Sequence, residues 1–176
     1  MKKMEKKGKY KFYILNILAA AFISILLFTF LFTPYKISGN SMFPSLKNGQ
    51  RVIISKIFSI NDLKRFDIVV LKVSGNRTNI VKRIIALPGE LFEIKKGDIY
   101  INNMKIKTPF LKNFGDVMFR SVNFGQLKIP ERFYFTLGDN RDQSIDSRSF
   151  GPVNMEQIKG KAALIYWPLS SFGGIK

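Results

Sequence analysis

The sequence predicts a mostly β protein with a single apolar helix near its N-terminus. Residues 12–32 contain no charged side chain. From residue 51 onward, short runs rich in Val and Ile alternate with Gly, Pro and Asn. Such runs are typical of strands joined by tight turns. Outside the apolar run only residues 155–159 have a helical pattern, so strands should form most of the remaining chain.

The apolar run has the length of a membrane span. A helix of this length covers roughly 30 Å, the thickness of a bilayer's hydrocarbon core. A buried helix is usually shorter and has a polar face. A cleaved signal peptide has an apolar region of about 7–15 residues followed by a small-x-small site, whereas Thr33, Pro34 and Tyr35 follow this run. We therefore predict a retained transmembrane helix over residues 12–32.

Charge predicts the orientation of this helix. Residues 1–11 contain six lysines and one acidic residue, Glu5, and cytoplasmic flanks of membrane helices are enriched in Lys and Arg. We expect a single-pass cell-membrane protein with a cytoplasmic basic tail over residues 1–11 and an extracytoplasmic domain over residues 33–176. The net charge of +17 favours an anionic neighbour, which outside the cell is phospholipid or a wall polymer. No nucleic-acid-binding motif is evident.

The residue types that are missing restrict the chemistry. The chain has neither Cys nor His. This excludes disulfides, thiol nucleophiles, Ser-His-Asp triads and metal sites built from His or thiolate ligands. Acid–base chemistry must therefore use Lys, Asp, Glu or Tyr, and we expect no metal and no cofactor.

Strand positions follow from the apolar runs. Turns are predicted at residues 48–49 and 74–76, and residues 108–130 are expected to be irregular. The predicted strands cover residues 51–55, 67–73, 80–87, 91–94, 98–102, 105–107, 133–137 and 162–167.

The first candidate site is the polar stretch after the helix, residues 37–46. Ser41 lies two residues after Gly39 and three before Pro44. Gly permits backbone conformations that other residues resist, and Pro fixes φ. The stretch could therefore hold the Ser41 hydroxyl in a fixed, exposed position. The alternative is an ordinary turn, because Ser, Gly, Asn and Pro are turn formers.

Lys82 is the second candidate. Strand alternation places it on the same face as Ile80 and Ile84. Burial there would lower the pKa of its amine, and a lysine that is neutral near pH 7 is a competent general base. The alternative is a solvated lysine at a sheet edge.

The third candidate is the polar stretch at residues 138–151. A calcium loop of the EF-hand type does not fit, because Ser147 occupies the position of the turn Gly and Val153 that of the bidentate Glu. A solvated polar loop is an open alternative. Asp146 and Arg148 could instead form a bidentate ion pair that fixes the loop as support for a catalytic pair.

Together the three stretches resemble the motifs of the bacterial type I signal peptidases, peptidase family S26. Ser-Gly-x-Ser-Met-x-Pro-(Ser/Thr)-Leu matches residues 38–46, and Lys-Arg-x-x-x-Leu-Pro-Gly-(Asp/Glu) matches residues 82–90. Gly-Asp-Asn-Arg-x-x-Ser-x-Asp-Ser-Arg-x-Phe-Gly matches residues 138–151. The short interval between the last two motifs resembles the compact Gram-positive form. The resemblance implies an antiparallel β catalytic domain with a small subsidiary β region at about residues 90–136.

The resemblance also implies the roles of individual residues. Ser41 would be the nucleophile and its backbone N–H an oxyanion donor, with Lys82 as general base. Some family members have a serine donor where this chain has Gly39, so the second oxyanion donor is left open. The Ser144 hydroxyl would orient the lysine amine. The supporting ionic residues would be Asp146, Arg148, Asp139 and Arg83, and the candidate walls of shallow apolar substrate pockets are Ile37, Met42, Ile80 and Val81.

The implied function is removal of signal peptides from secretory precursor proteins after small-x-small sequences, by a membrane-bound serine endopeptidase that forms an acyl-enzyme. Two alternatives stay open. A self-cleaving Ser-Lys regulator has a similar dyad and fold, although such regulators lack an anchor. A membrane-tethered basic binding protein without catalysis is the other. The preferred precursors, the oligomeric state and any redundancy with sister peptidases do not follow from the sequence.

Overall fold

The computed structural model describes residues 2–56, 62–73, 78–109 and 122–175, with side chains from residue 10 onward. A long helix, α1, spans Lys2–Leu31 and a short one, α2, spans Ser147–Phe150. Within the described ranges the strands are β1 Phe32–Lys36, β2 Arg51–Ser55, β3 Ile68–Leu71, β4 Ile80–Ala86, β5 Leu91–Lys95, β6 Asp98–Ile101, β7 Met104–Lys105, β8 Phe124–Lys128, β9 Phe133–Leu137, β10 Val153–Asn154, β11 Ile158–Trp167 and β12 Gly173–Gly174. The predicted fold class, a mostly β chain after one apolar helix, is confirmed.

Helix α1 carries the predicted apolar run but ends one residue earlier. Phe32, the last residue of the predicted span, begins β1 instead. The segment Tyr10–Leu31 has 22 residues, is not covered by other parts of the structure, and by length and composition is able to cross a membrane. Two hydroxyls within it are satisfied locally, since Ser24 donates to the carbonyl of Ala20 at 2.8 Å and Thr29 to that of Leu26 at 2.9 Å.

The larger sheet positions the three candidate stretches. Its eight strands lie in the order β1-β2-β11-β3-β4-β9-β10, with β12 beside β11, and neighbouring strands are antiparallel. The sheet curls, so that the Tyr35 hydroxyl on β1 donates to the carbonyl of Asn79 at 2.7 Å, just before β4. This curl brings the stretch after β1 close to β4 and to the loop after β9.

The smaller sheet lies between β4 and β9 in the chain. Its four strands are ordered β7-β6-β5-β8, and its core joins the larger sheet through aromatic rings. The ring of Phe92 lies 4.0 Å from that of Phe135 on β9, and Phe124 lies 5.1 Å from Phe135. These contacts bind the two sheets into one packed body.

The strand prediction is wrong for β8. Residues 108–130 were expected to be irregular, but β8 lies within them and pairs with β5. Its apolar residues Phe124 and Leu127 pack in the core of the smaller sheet, while the intervening Gly125 and Gln126 break the alternating pattern. Residues 110–121 of this segment, and the turn predicted at residues 74–76, lie outside the described residues.

Buried side chains of the described residues form three clusters. One of them lies against the first candidate stretch and contains Met42 and Leu46 together with Val52 of β2 and Val81 of β4. Because these residues come from three separate parts of the chain, the packing of this cluster fixes where the Ser41 stretch sits on the sheet.

Candidate active site

The stretch around Ser41 folds into a compact turn that is anchored at both ends. The amide of Phe43 donates to the carbonyl of Asn40 at 3.0 Å, and that of Leu46 to the carbonyl of Met42 at 2.8 Å. The side chains of Met42 and Leu46 are fully buried, whereas Ser41 itself is half-buried. We call residues 41–46 the serine turn. Apolar anchoring on either side leaves the Ser41 hydroxyl available at the surface.

Gly39 lies two residues before this turn in an unusual backbone conformation. Its φ is +85°, in the region that favours glycine, and its amide donates to the Asn48 side chain at 3.1 Å. No atom lies within 4 Å of where a Cβ would stand. The backbone conformation therefore favours glycine at this position. A side chain would have room, so steric crowding does not explain the glycine.

Lys82 meets Ser41 from β4. Its Nζ lies 2.8 Å from Ser41 Oγ, and the Lys82 residue is only 3% exposed. Burial lowers the pKa of this amine from 10.5 to about 8, although the charges of Asp146 and Asp139 act in the opposite direction. Because the shift makes a neutral amine accessible close to neutral pH, this pair is able to activate a hydroxyl.

The loop after β9 contributes two ion pairs beneath this contact. The Asp139 carboxylate accepts from Arg83 Nε at 2.9 Å and from Nη2 at 2.8 Å, with both side chains buried. Asp146 accepts from Arg148 Nε at 2.8 Å and from Nη2 at 3.0 Å. All four residues are among those singled out as supports, and the structure brings them together around the loop.

Asp146 also organises the backbone of the loop. Its carboxylate accepts from the amide of Gly138 at 3.0 Å and caps helix α2 by accepting from the amide of Arg148 at 3.2 Å. Burial by itself would raise the pKa of Asp146, but hydrogen bonds from Arg148 and from the Gly138 amide outweigh it, so the pKa lies below its ordinary value. The carboxylate is therefore ionised throughout the neutral range and keeps its acceptor role in these hydrogen bonds.

The site matches a known family. The model of the family described as "Signal peptidase, peptidase S26" matches residues 10–167. The chain belongs to this signal peptidase family. The resemblance read from the motifs is thus confirmed, and with it the class of the protein, a peptidase.

Individual relatives support the assignment over almost the whole chain. The protein is 38% identical over 175 residues to "Signal peptidase I P" of Bacillus subtilis subsp. natto, covering 96% of this chain and 95% of that protein. It is 36% identical over 161 residues to "Signal peptidase I T" of Bacillus subtilis strain 168, covering 88% and 83%. The crystal structure of a signal peptidase I from Enterococcus faecalis V583 matches with a TM-score of 0.51 and 34% identity, covering 58% of this chain and 98% of that one.

The candidate pocket residues of this signal peptidase do not all meet. Ile37, Met42 and Val81 belong to one buried cluster beside the serine turn. Ile80 packs against a different cluster, the one that contains Ile84 and Tyr134. The structure therefore brings three of the four candidates together and places Ile80 elsewhere, and the role of all four in substrate pockets stays a prediction.

The structure does not place Ser144 in contact with the lysine amine. Among the described residues, Lys82 Nζ is hydrogen-bonded to Ser41, and no hydrogen bond joins it to the Ser144 hydroxyl. Ser144 instead lies against Gly138, where an added Cβ would collide with its side chain. The role of Ser144 in orienting the amine stays a prediction.

Several polar residues of the site, two of them buried, were not singled out by the sequence analysis. Ser45 accepts a hydrogen bond from Arg83 Nη2 at 2.9 Å. Arg141 is buried and donates through Nε to the carbonyl of Gly138 at 2.9 Å. Ser147 Oγ accepts from the amide of Thr136 at 2.9 Å, which ties α2 to β9. Arg141 and Ser147 occupy single-residue positions of the motif over residues 138–151, and Ser45 occupies a Ser/Thr position of the motif over residues 38–46, so the motifs could have pointed to all three.

The acidic residues do not form a metal centre in the part of the chain that is described. No group of three carboxylate-bearing residues there comes close enough together to hold an ion. The buried carboxylates Asp139 and Asp146 are each occupied by an arginine.

Proposed function

We propose that this protein is a membrane-bound serine endopeptidase that removes signal peptides from secretory precursor proteins after small-x-small sequences. The observation that carries the proposal is the 2.8 Å contact between the half-buried Ser41 hydroxyl and the buried Lys82 amine. With no histidine in the chain, this is a nucleophile and base pair that the available residue types allow. The family membership supplies the substrate class.

The mechanism uses the lysine in its neutral form. Lys82 takes the proton from Ser41 Oγ as the oxygen attacks the scissile carbonyl, and the backbone N–H of Ser41 stabilises the developing oxyanion. The protonated amine then donates to the leaving amino group of the mature protein. The acyl-enzyme that remains is hydrolysed by a water that Lys82 activates in turn.

The edge of β4 offers a place for an extended substrate. Among the described strands, β9 pairs with β4 only from Arg83 onward, so Ile80, Val81 and Lys82 have no strand partner on that side. An extended peptide can add to such an edge through main-chain hydrogen bonds. Ile37, Met42 and Val81 belong to one apolar cluster beside the serine turn, and we propose that this cluster backs the site for the small side chains of the substrate.

The membrane places the enzyme where its substrates are. We propose that α1 anchors the protein with residues 1–11 in the cytoplasm and residues 33–176 outside, as the lysine-rich tail favours. The subsidiary β region at about residues 90–136 would then belong to the extracytoplasmic domain. A phospholipid surface and the precursor would be its partners, with no metal, cofactor or nucleic acid taking part.

Precursor cleavage by the detergent-solubilised full-length protein tests this function. Wild type should release the mature protein from a secretory precursor, and Ser41→Ala and Lys82→Met should not, although both remain folded. Cleavage only of the enzyme's own chain would favour a self-cleaving regulator. A folded wild type that binds precursor and cuts nothing would favour a binding protein.

A further inference from the structure

Arg83 is held rigidly beneath the serine turn. Its side chain is 2% exposed. Asp139 binds it at Nε and Nη2, and Nη1 donates to the carbonyl of Phe66 at 2.8 Å. A guanidinium that is bound in this bidentate way presents its remaining N–H bonds in fixed directions. Arg83 is therefore a buried donor whose position is fixed by its partners.

One of these fixed directions leads to Ser45. Arg83 Nη2 donates to Ser45 Oγ at 2.9 Å. Ser45 lies four residues after Ser41 in the same turn, which is closed by the bond from the amide of Leu46 to the carbonyl of Met42. Because Lys82 contacts Ser41 and Arg83 contacts Ser45, two consecutive residues of β4 hold both ends of the serine turn.

A third contact completes the arrangement from the loop after β9. The amide of Asn140 donates to the carbonyl of Ser41 at 3.0 Å, and Asn140 directly follows Asp139, the partner of Arg83. The Asp139–Arg83 pair is thus connected to the serine turn twice, through the backbone at Ser41 and through the hydroxyl of Ser45. The first connection fixes the position of Ser41, and the second limits rotation of the turn about it.

We propose that Ser45 is a positioning residue for peptide-bond cleavage: its hydroxyl transfers the fixed orientation of the Arg83–Asp139 pair to the turn that carries Ser41. The inference rests on the proposed function. Ser45 does not touch the reacting atoms, so it acts through Ser41 and through the Ser41 backbone N–H that faces the oxyanion. A small rotation of this turn moves nucleophile and oxyanion donor together, and misplacement by about 1 Å is enough to cost about 100-fold in rate.

Threonine and valine at this position provide a matched comparison. They have nearly the same shape, and only threonine has the hydroxyl that Arg83 needs. We expect Ser45→Thr to keep kcat close to that of wild type, and Ser45→Val to lower kcat about 10- to 100-fold relative to Ser45→Thr. KM should stay within about twofold, because the substrate-binding edge of β4 is unchanged. The midpoint of the pH profile should also stay in place, since Lys82 keeps its surroundings.

Equal kcat values for Ser45→Thr and Ser45→Val would overturn the inference, as would a loss that resides in KM or in the pH midpoint. Ser45→Ala repeats the test with a smaller side chain, and assays below the lowest melting temperature of the set exclude unfolding as the cause. Ser170→Ala, an exposed serine after β11, is the control and should match wild type. If wild type itself cleaves no precursor, the proposed function has failed and not this inference alone.

Discussion

In the proposed mechanism, the protonation state of Lys82 determines whether the site is active. Burial holds the pKa of this amine at about 8, and the base must be neutral to accept the Ser41 proton. Activity should therefore rise with pH through about pH 8 and level off above it, because enzyme molecules whose Lys82 is protonated have no base. The measurement is initial precursor cleavage between pH 5 and 10, with a buffer overlap at each change.

Two substitutions make this pH test specific. Lys82→Met keeps the apolar stem without the amine, and Lys82→Arg keeps a donor that stays protonated. Both should be inactive at every pH. A profile that is flat from mild acid upward would instead point to a carboxylate base, which is ionised by about pH 5.

Substitutions of Gly39 distinguish the effect of its backbone conformation on stability from the effect of a side-chain hydroxyl on catalysis. Any side chain there must adopt φ near +85°, so Gly39→Ala and Gly39→Ser should each lose about 1–2 kcal/mol of unfolding free energy. The two variants differ only in the hydroxyl. If that hydroxyl reaches the oxyanion, Gly39→Ser should turn over faster than Gly39→Ala. Urea unfolding and kcat measure the two effects, and equal kcat values would show that the hydroxyl plays no part.

At the scale of residues, the sequence predicted the pairing of Ser41 with Lys82 better than the surroundings of that pair. Ser41 and Lys82 lie in motifs whose residue types already limit the chemistry, and the structure puts them in contact. The bond between Arg83 and Ser45 was not predictable from spacing, because it joins residues 38 positions apart whose proximity depends on the curl of the sheet.

At the scale of elements, the loop after β9 depends on a close approach at Gly138. A Cβ added there would lie 2.5 Å from the carbonyl oxygen of Ser41 and would also collide with Ser144. Gly138→Ala should therefore push the loop and the serine turn apart, lowering the unfolding free energy by about 1–3 kcal/mol and reducing cleavage strongly.

Gly125→Ala is the matched control for this loop variant. Gly125 is exposed on β8, and nothing lies within 4 Å of its added Cβ. Its unfolding free energy should stay within about 0.5 kcal/mol of wild type, with unchanged cleavage. Urea denaturation and precursor assays on both variants provide the comparison; normal cleavage by Gly138→Ala would refute the packing argument.

The elements that sequence patterns missed share a physical cause. β1 begins inside the apolar run and contains Pro34, so its five residues resemble the end of the helix and a turn. α2 has only four residues and depends on the Asp146 cap. β8 depends on ring contacts with distant Phe92. β2 and β9 were predicted because their runs of apolar and β-branched residues are local in the sequence.

At the scale of the whole molecule, topology is the property to measure. The lysine-rich tail favours a cytoplasmic N-terminus, so protease added to intact protoplasts should digest the domain after Pro34 and spare residues 1–11. A reporter enzyme that is active only outside the cytoplasm should be active when fused after the last residue, and a reporter that is active only in the cytoplasm should not. The control is the same digestion after detergent lysis, which should remove both regions. Cytoplasmic activity of the reporter would contradict the proposed orientation.

α1 continues directly into β1, and this limits how far Ser41 can lie from the membrane. Only ten residues lead from Leu31 at the end of the helix to Ser41, and a chain of that length spans at most about 35 Å even when fully extended. With α1 in the bilayer, Ser41 can lie only within this distance of the membrane surface. Where a precursor is cut would then be decided by the height of the bond above the lipid as well as by its neighbouring residues, and folded protein farther from the membrane would be spared by distance alone.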